Sequence, residues 1–117
     1  MRDRRAAETR GREGETRAAW FLRLRGWRIL DRRVRTPAGE VDLVARRGTL
    51  IAFVEVKTRA TQAELDFAID ERRLARVARA AEYLMPRYAG PGDDIRVDVV
   101  LIAPGGAPRH IENAWMG

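Results

Sequence analysis

The sequence predicts an α/β fold in which a helix, three strands, a second helix and a fourth strand form one mixed sheet flanked by the helices. Three observations predict it. Two segments repeat apolar residues at helical spacing, two apolar runs are joined by a short glycine-containing turn, and a further apolar run follows a Gly/Pro break after the second helical segment.

The first helix is read from about Gly14 to Arg25. Glu15, Ala18, Ala19 and Leu22 fall at i, i+3, i+4 and i+7, so they share one face, and Gly26 is a stop signal. That apolar stripe carries an acid, Glu15. Trp27 to Val34 sets Trp27, Ile29, Leu30 and Val34 among arginines and reads as an edge strand, broken at Pro37-Ala38-Gly39. Glu40–Ala45 and Leu50–Lys57, joined around Arg47-Gly48-Thr49, read as an antiparallel hairpin. Side chains alternate along a strand, so Glu55 and Lys57 share one face, as do Glu40, Asp42 and Val44. A tight turn at Gly48-Thr49 sets Asp42 opposite Glu55, whereas a one-residue slip separates them. The second helix, roughly Asp70 to Met85, has Asp70 as N-cap and Pro86 as its stop. Leu74, Val77, Ala78, Ala81 and Leu84 point inward; Arg72, Arg73, Arg76 and Arg79 point outward. Ile95–Ile102 reads as a buried strand, and Ile111–Trp115 adds a short edge element.

The chain has 117 residues, 23 of them basic and 17 acidic, with 45% apolar content, enough for the core of one domain. Residues 1–10 read as a basic, flexible arm and residues 11–117 as a single domain. The absence of cysteine excludes a disulfide framework, a thiolate zinc site and a cysteine nucleophile. One histidine, His110, leaves no basis for a His-rich metal site or a Ser-His-Asp triad. No apolar run approaches the roughly 20 residues of a membrane span, and Met1 to Arg17 lacks a leader pattern. A cytoplasmic protein without a membrane partner is expected. Residues 1–36 hold 12 arginines against 5 acids, a net of +7, whereas residues 37–117 are nearly neutral. Such asymmetry favours a polyanionic partner, because clustered arginines attract phosphates and release counterions. Lys57 is the single lysine among 23 basic residues. A compact ammonium there fits beside a phosphate oxygen or a water in a way that a guanidinium does not.

The most apolar strand ends in Glu55-Val56-Lys57, with Asp42 on its expected neighbour and Glu15 on the inner face of the first helix. Buried carboxylates are costly unless paired or metal-bound. Two carboxylates and a backbone carbonyl are hard oxygen ligands suited to Mg²⁺ or Mn²⁺, ions that also engage phosphate oxygens. That chemistry suits phosphodiester hydrolysis, with Lys57 orienting water or stabilising developing charge. The same residues also read as a Glu-Lys pair on one strand face with Asp42 as a solvated hairpin charge. Glu40 completes the turn or contacts a basic neighbour. Asp98, inside an apolar strand, reads as a structural acid paired with Arg96 or an N-terminal arginine. His110, the three Trp and the two Tyr show no stacking-platform spacing and read as core or rim.

Together these residues resemble the PD-(D/E)xK nuclease superfamily, with its restriction-endonuclease-like core. More narrowly, the chain looks like the YraN-like family, small bacterial proteins predicted to be endonucleases and similar to archaeal Holliday junction resolvases. The matching pieces run in order: Gly11-Arg12-x-Gly14-Glu15, Gly26-Trp27, Gly39 to Ala45, Phe53 to Lys57 with Arg59, Arg76-Val77 with Ala80 to Leu84, Arg96 to Val100, and Asn113-Ala114-Trp115. Where relatives tend to show Phe-Gly after the Glu-x-Lys strand, this chain has Ala63 to Phe67; where they tend to have an early lysine in the second helix, it has Arg73. The resemblance implies a Mg²⁺- or Mn²⁺-dependent DNA endonuclease. Asp42, Glu55 and the Val56 carbonyl would then be metal ligands, Lys57 the catalytic lysine and Glu15 an acid completing the site. Arg12, Arg59, Arg72, Arg73 and Arg76 are the expected nucleic-acid contacts. It also raises a homodimer, with the hairpin or an edge strand as interface. The alternatives are an inactive nucleic-acid-binding module of the same fold and a basic protein riding on a larger assembly such as the ribosome.

Overall fold

The computed structural model describes residues 4–59, 61–65 and 69–115. Its elements are α1 (Arg4–Leu24), β1 (Arg28–Thr36), β2 (Gly39–Arg47), β3 (Leu50–Thr58), the short α2 (Gln62–Leu65), α3 (Glu71–Tyr88), β4 (Asp94–Ile102) and β5 (Arg109–Ile111). The five strands form one sheet in the order β1-β2-β3-β4-β5, antiparallel throughout except for the parallel β3–β4 pair. The parallel pair needs a crossover, and α3 supplies it.

Alternation along β3 divides the core into two layers. Ile51 and Phe53 pack with Leu74, Val77, Ala81 and Leu84 of α3. Ala52 and Val54 pack with Ala18, Ala19 and Leu22 of α1. The result is a mixed α/β fold with a helix on each face of the sheet. Among the described residues, no helix is long and apolar enough to cross a membrane.

The hairpin has the expected register. Its ladder runs from Arg47↔Leu50 to Leu43↔Val54, so Asp42 and Glu55 are the next residues on each strand. There the ladder gives way, because the Asp42 carboxylate accepts the Val56 N–H at 2.7 Å. Leu43 packs on the α1 side and Val41 on the α3 side, although residues two apart share a face in a regular strand. On the facing strand, Arg33 adopts a left-handed φ of 52°. Both strands therefore change face around Arg33 and Asp42.

Four expectations need correction. The first helix begins at Arg4 and not near Gly14, so the segment set apart as an arm is helical from Arg4 onward; residues 1–3 lie outside the described residues. α3 continues through Pro86 to Tyr88. Proline removes one N–H late in the helix, while Ala89 N–H still closes the last turn on the Met85 carbonyl, and the Tyr88 hydroxyl donates to Asp31 at 2.6 Å. The last strand lies at Arg109–Ile111, N-terminal to the expected Ile111–Trp115, because Asn113 turns the chain with φ 51°. Finally, the aromatic residues divide: Trp27 is buried, but Trp20 and Tyr83 are more than half exposed.

Candidate active site

α1 is set against the C-terminal end of β3 by the absence of a side chain. A Cβ at Gly14 would collide with Thr58 Oγ1, so a larger residue there would have to displace the Thr58 hydroxyl or the helix. The close approach carries the next residue, Glu15, to the sheet, where it is only 6% exposed. This is the physical content of a Gly-Glu pair inside an amphipathic helix.

Beside it opens a cleft of about 870 Å³, lined by Glu13, Gly14, Glu15 and Arg17 of α1, Asp42 of β2, Val56, Lys57 and Thr58 of β3, and Arg59, Glu64, Arg73 and Pro104, among others. Glu55 faces a small adjoining hollow together with Lys57, Asp70 and Arg73. Glu55 and Lys57 are both buried, and Lys57 Nζ lies 2.8 Å from Glu55 Oε1; Arg73 reaches the same oxygen at 3.5 Å. Glu15 is gripped by Arg33, whose Nε donates to both carboxylate oxygens at 2.7 and 3.0 Å.

Asp42 is the exception. Among the described residues it forms no ion pair, and its carboxylate accepts the Val56 N–H. Burial, followed by repulsion from Glu55, pushes its carboxyl up to about 7, against the opposing hydrogen bond from Val56; Glu15 and Glu40 add to the rise. A proton or a cation relieves that cluster. No three Asp, Glu or His side chains among the described residues converge into a full metal cage. Mg²⁺ does not require one, since it keeps several waters and takes one or two carboxylates. Asp42, Glu55 and the Val56 carbonyl therefore fit such an ion chemically.

The expected site residues thus fall into two groups. Glu15, Asp42, Val56, Lys57, Arg59 and Arg73 line the cleft, with Glu55 directly behind it. Arg12, Arg72 and Arg76 are exposed on their helices and do not line it. Arg17 and Glu64 of the cleft, and Arg33 on Glu15, lie outside the expected set. Arg17 follows Glu13 by four residues on one helix face, a signal that was available. Arg33 gives none, being one arginine in a basic edge strand. Glu40 does contact a basic neighbour, Arg35, at 3.6 Å. Of the Ala63–Phe67 segment, Asp66 and Phe67 lie outside the described residues.

The model of UPF0102, described as an uncharacterised protein family, matches residues 14–102, from the glycine under α1 to the end of β4. The chain belongs to that family. Similar UPF0102 proteins include one from Erythrobacter litoralis, 63% identical over 96% of this chain and 97% of its own length, and one from Sphingopyxis alaskensis, 62% identical over the same shares. One from Rhizorhabdus wittichii is 57% identical over 100% of this chain and 99% of its own. The matched UPF0102 segment contains Glu15, Asp42, Glu55 and Lys57.

Proposed function

We propose that this UPF0102 protein is a metal-dependent DNA endonuclease built on a restriction-endonuclease-like core. The observation that carries the reading is that Asp42, Val56 and Lys57 line one cleft, with Glu55 in the hollow adjoining it and Arg17, Arg59 and Arg73 interspersed with Glu13 and Glu64 around it. The antiparallel β1-β2-β3 unit, the parallel β4 and the helices on opposite faces agree with the core that the sequence resembles.

Asp42, Glu55 and the Val56 carbonyl would hold Mg²⁺ or Mn²⁺. When bound, such an ion polarises a phosphoryl oxygen and makes a coordinated water more acidic. The protein's own residues do the rest. Arg59 and Arg73 hold phosphates along the rim and fix the strand across the cleft. Lys57, beside Glu55 at 2.8 Å, would direct its ammonium at the attacking water or at the charge growing on the phosphate. Arg33 holds Glu15 in place beside them.

A nucleic-acid-binding module of the same fold is the second reading. It is favoured by the Glu15–Arg33 and Glu55–Lys57 pairs, which already neutralise two of the three acids. Cleavage of a labelled panel (duplex, flap, four-way junction, single strand) with Mn²⁺ or Mg²⁺ separates the two. Cutting that EDTA and Lys57→Ala both abolish, with binding retained, is the expected result. Binding without cutting by wild type and variant alike would leave the binding module.

A further inference from the structure

We propose that Trp20 is a stacking platform for an unpaired base of a strand leaving the cleft along α1; the strand's path into the cleft rests on the nuclease reading above. Glu13, Arg17, Trp20 and Leu24 stand at i, i+4, i+7 and i+11 and form one outward line on the helix. Glu13 and Arg17 line the cleft. Trp20 follows about 4.5 Å farther along the axis. It is 58% exposed, while the opposite face of the same helix supplies the core through Ala18, Ala19 and Leu22, so packing does not explain an indole at this position.

The surroundings select the occupant. Arg23 lies 5.1 Å from the Trp20 ring centroid, and Arg17 is one turn back toward the cleft. An exposed aromatic ring with the Arg23 guanidinium beside it and Arg17 one turn back, on a helix that also lines the cleft, matches a base flanked by its phosphates. A lipid surface would gain little from one indole and Leu24. A duplex offers no free base face, so the platform serves only single-stranded or frayed DNA, as found at flaps, junctions and nicks.

The test measures binding in EDTA, where cleavage is suppressed. Fluorescein-labelled dT 15-mer and a blunt duplex of equal phosphate count are titrated with wild type, Trp20→Ala and Trp20→Phe at one salt concentration. Trp20→Ala should bind the single strand about tenfold more weakly. Trp20→Phe should recover part of that loss, and duplex binding should stay unchanged. Wild-type tryptophan emission should be quenched by the single strand, and Trp20→Phe should lose most of the quench. Equal binding by all three proteins, or an equal loss on single strand and duplex, overturns the platform. So does Trp20-dependent self-association or vesicle binding in place of strand binding. Wild type that binds neither DNA at low salt overturns both the platform and the nuclease reading. Trp20-dependent strand binding without cleavage under Mn²⁺ keeps the platform and removes the nuclease.

Discussion

Asp42 on β2 and Asp98 on β4 are both withdrawn from water, yet their surroundings treat them oppositely. Asp98 is 0% exposed and fully provided for: Arg96 donates to it twice at 2.8 and 2.9 Å, the Asn113 N–H donates at 2.9 Å, and His110 Nε2 lies 2.7 Å away. Burial alone would push the Asp98 carboxyl up. The hydrogen bonds from His110, Arg96 and Asn113 outweigh it and hold the group below the usual carboxylate range. Asp42 has one backbone donor and three acidic neighbours, and it is pushed up to about 7. The lesson is that burial does not mark a functional acid. What separates the two is whether the protein itself supplies the countercharge.

The largest effect should come from breaking the satisfied site. Asp98→Ala leaves Arg96 and His110 without their buried partner, and a loss of about 3–5 kcal/mol in urea denaturation is expected. A change under 1 kcal/mol would mean that the network is not structural. Next is Asp42→Asn, which removes an uncompensated charge and still accepts the Val56 N–H. Metal-free protein at pH 8 should gain on the order of 2 kcal/mol, with cleavage lost. Equal destabilisation by both substitutions would erase the contrast.

The pH dependence follows from the same two groups. Asp42 has a folded value above its unfolded 3.8, so its stabilising contribution is full below that value and fades as pH rises toward about 7. Asp98 is shifted the other way, so its contribution is present above the unfolded value and is lost as pH falls through the folded one. Metal-free wild type should therefore soften between about pH 4 and 7, and Asp42→Asn should flatten that decline in melting curves. Added Mn²⁺ at a hundredfold excess over its Kd should stabilise wild type by about 2.7 kcal/mol and Asp42→Asn much less. The smallest effect is expected at Arg33, which is 39% exposed. Arg33→Ala turns Glu15 into a second acid without its cation, with a loss of about 1 kcal/mol in metal-free protein after allowance for screening. Calorimetric titration should show tighter Mn²⁺ binding.

Much of this contrast was legible from the residues. Turn chemistry at Gly48-Thr49 and strand alternation leave the Asp42–Glu55 juxtaposition as one of two registers, and the structure adopts it, while the Leu74, Val77, Ala81 and Leu84 spacing marks α3 with Asp70 capping it. Asp98 reads as an acid paired with Arg96, and that pair is present. His110 was not legible as its partner, because β5 meets β4 only through long-range pairing. Arg33 was hidden for a different reason: its role depends on a left-handed backbone inside a strand, which an arginine does not advertise. Trp20 carried a readable signal. Its place on the α1 wheel is opposite Ala18 and Leu22, and the lack of a repeating aromatic pattern masked it.

The Asp42 hydrogen bond has a spectroscopic consequence. The Val56 amide is tied to a carboxylate where a strand interior ordinarily ties it to a carbonyl. In ¹⁵N-labelled protein, its resonance becomes a resident indicator of Asp42's charge, moving as that carboxyl titrates near pH 7. A cation on Asp42 would move the same peak at constant pH. One peptide group thus lets the ionisation of the cleft be followed with every side chain left native.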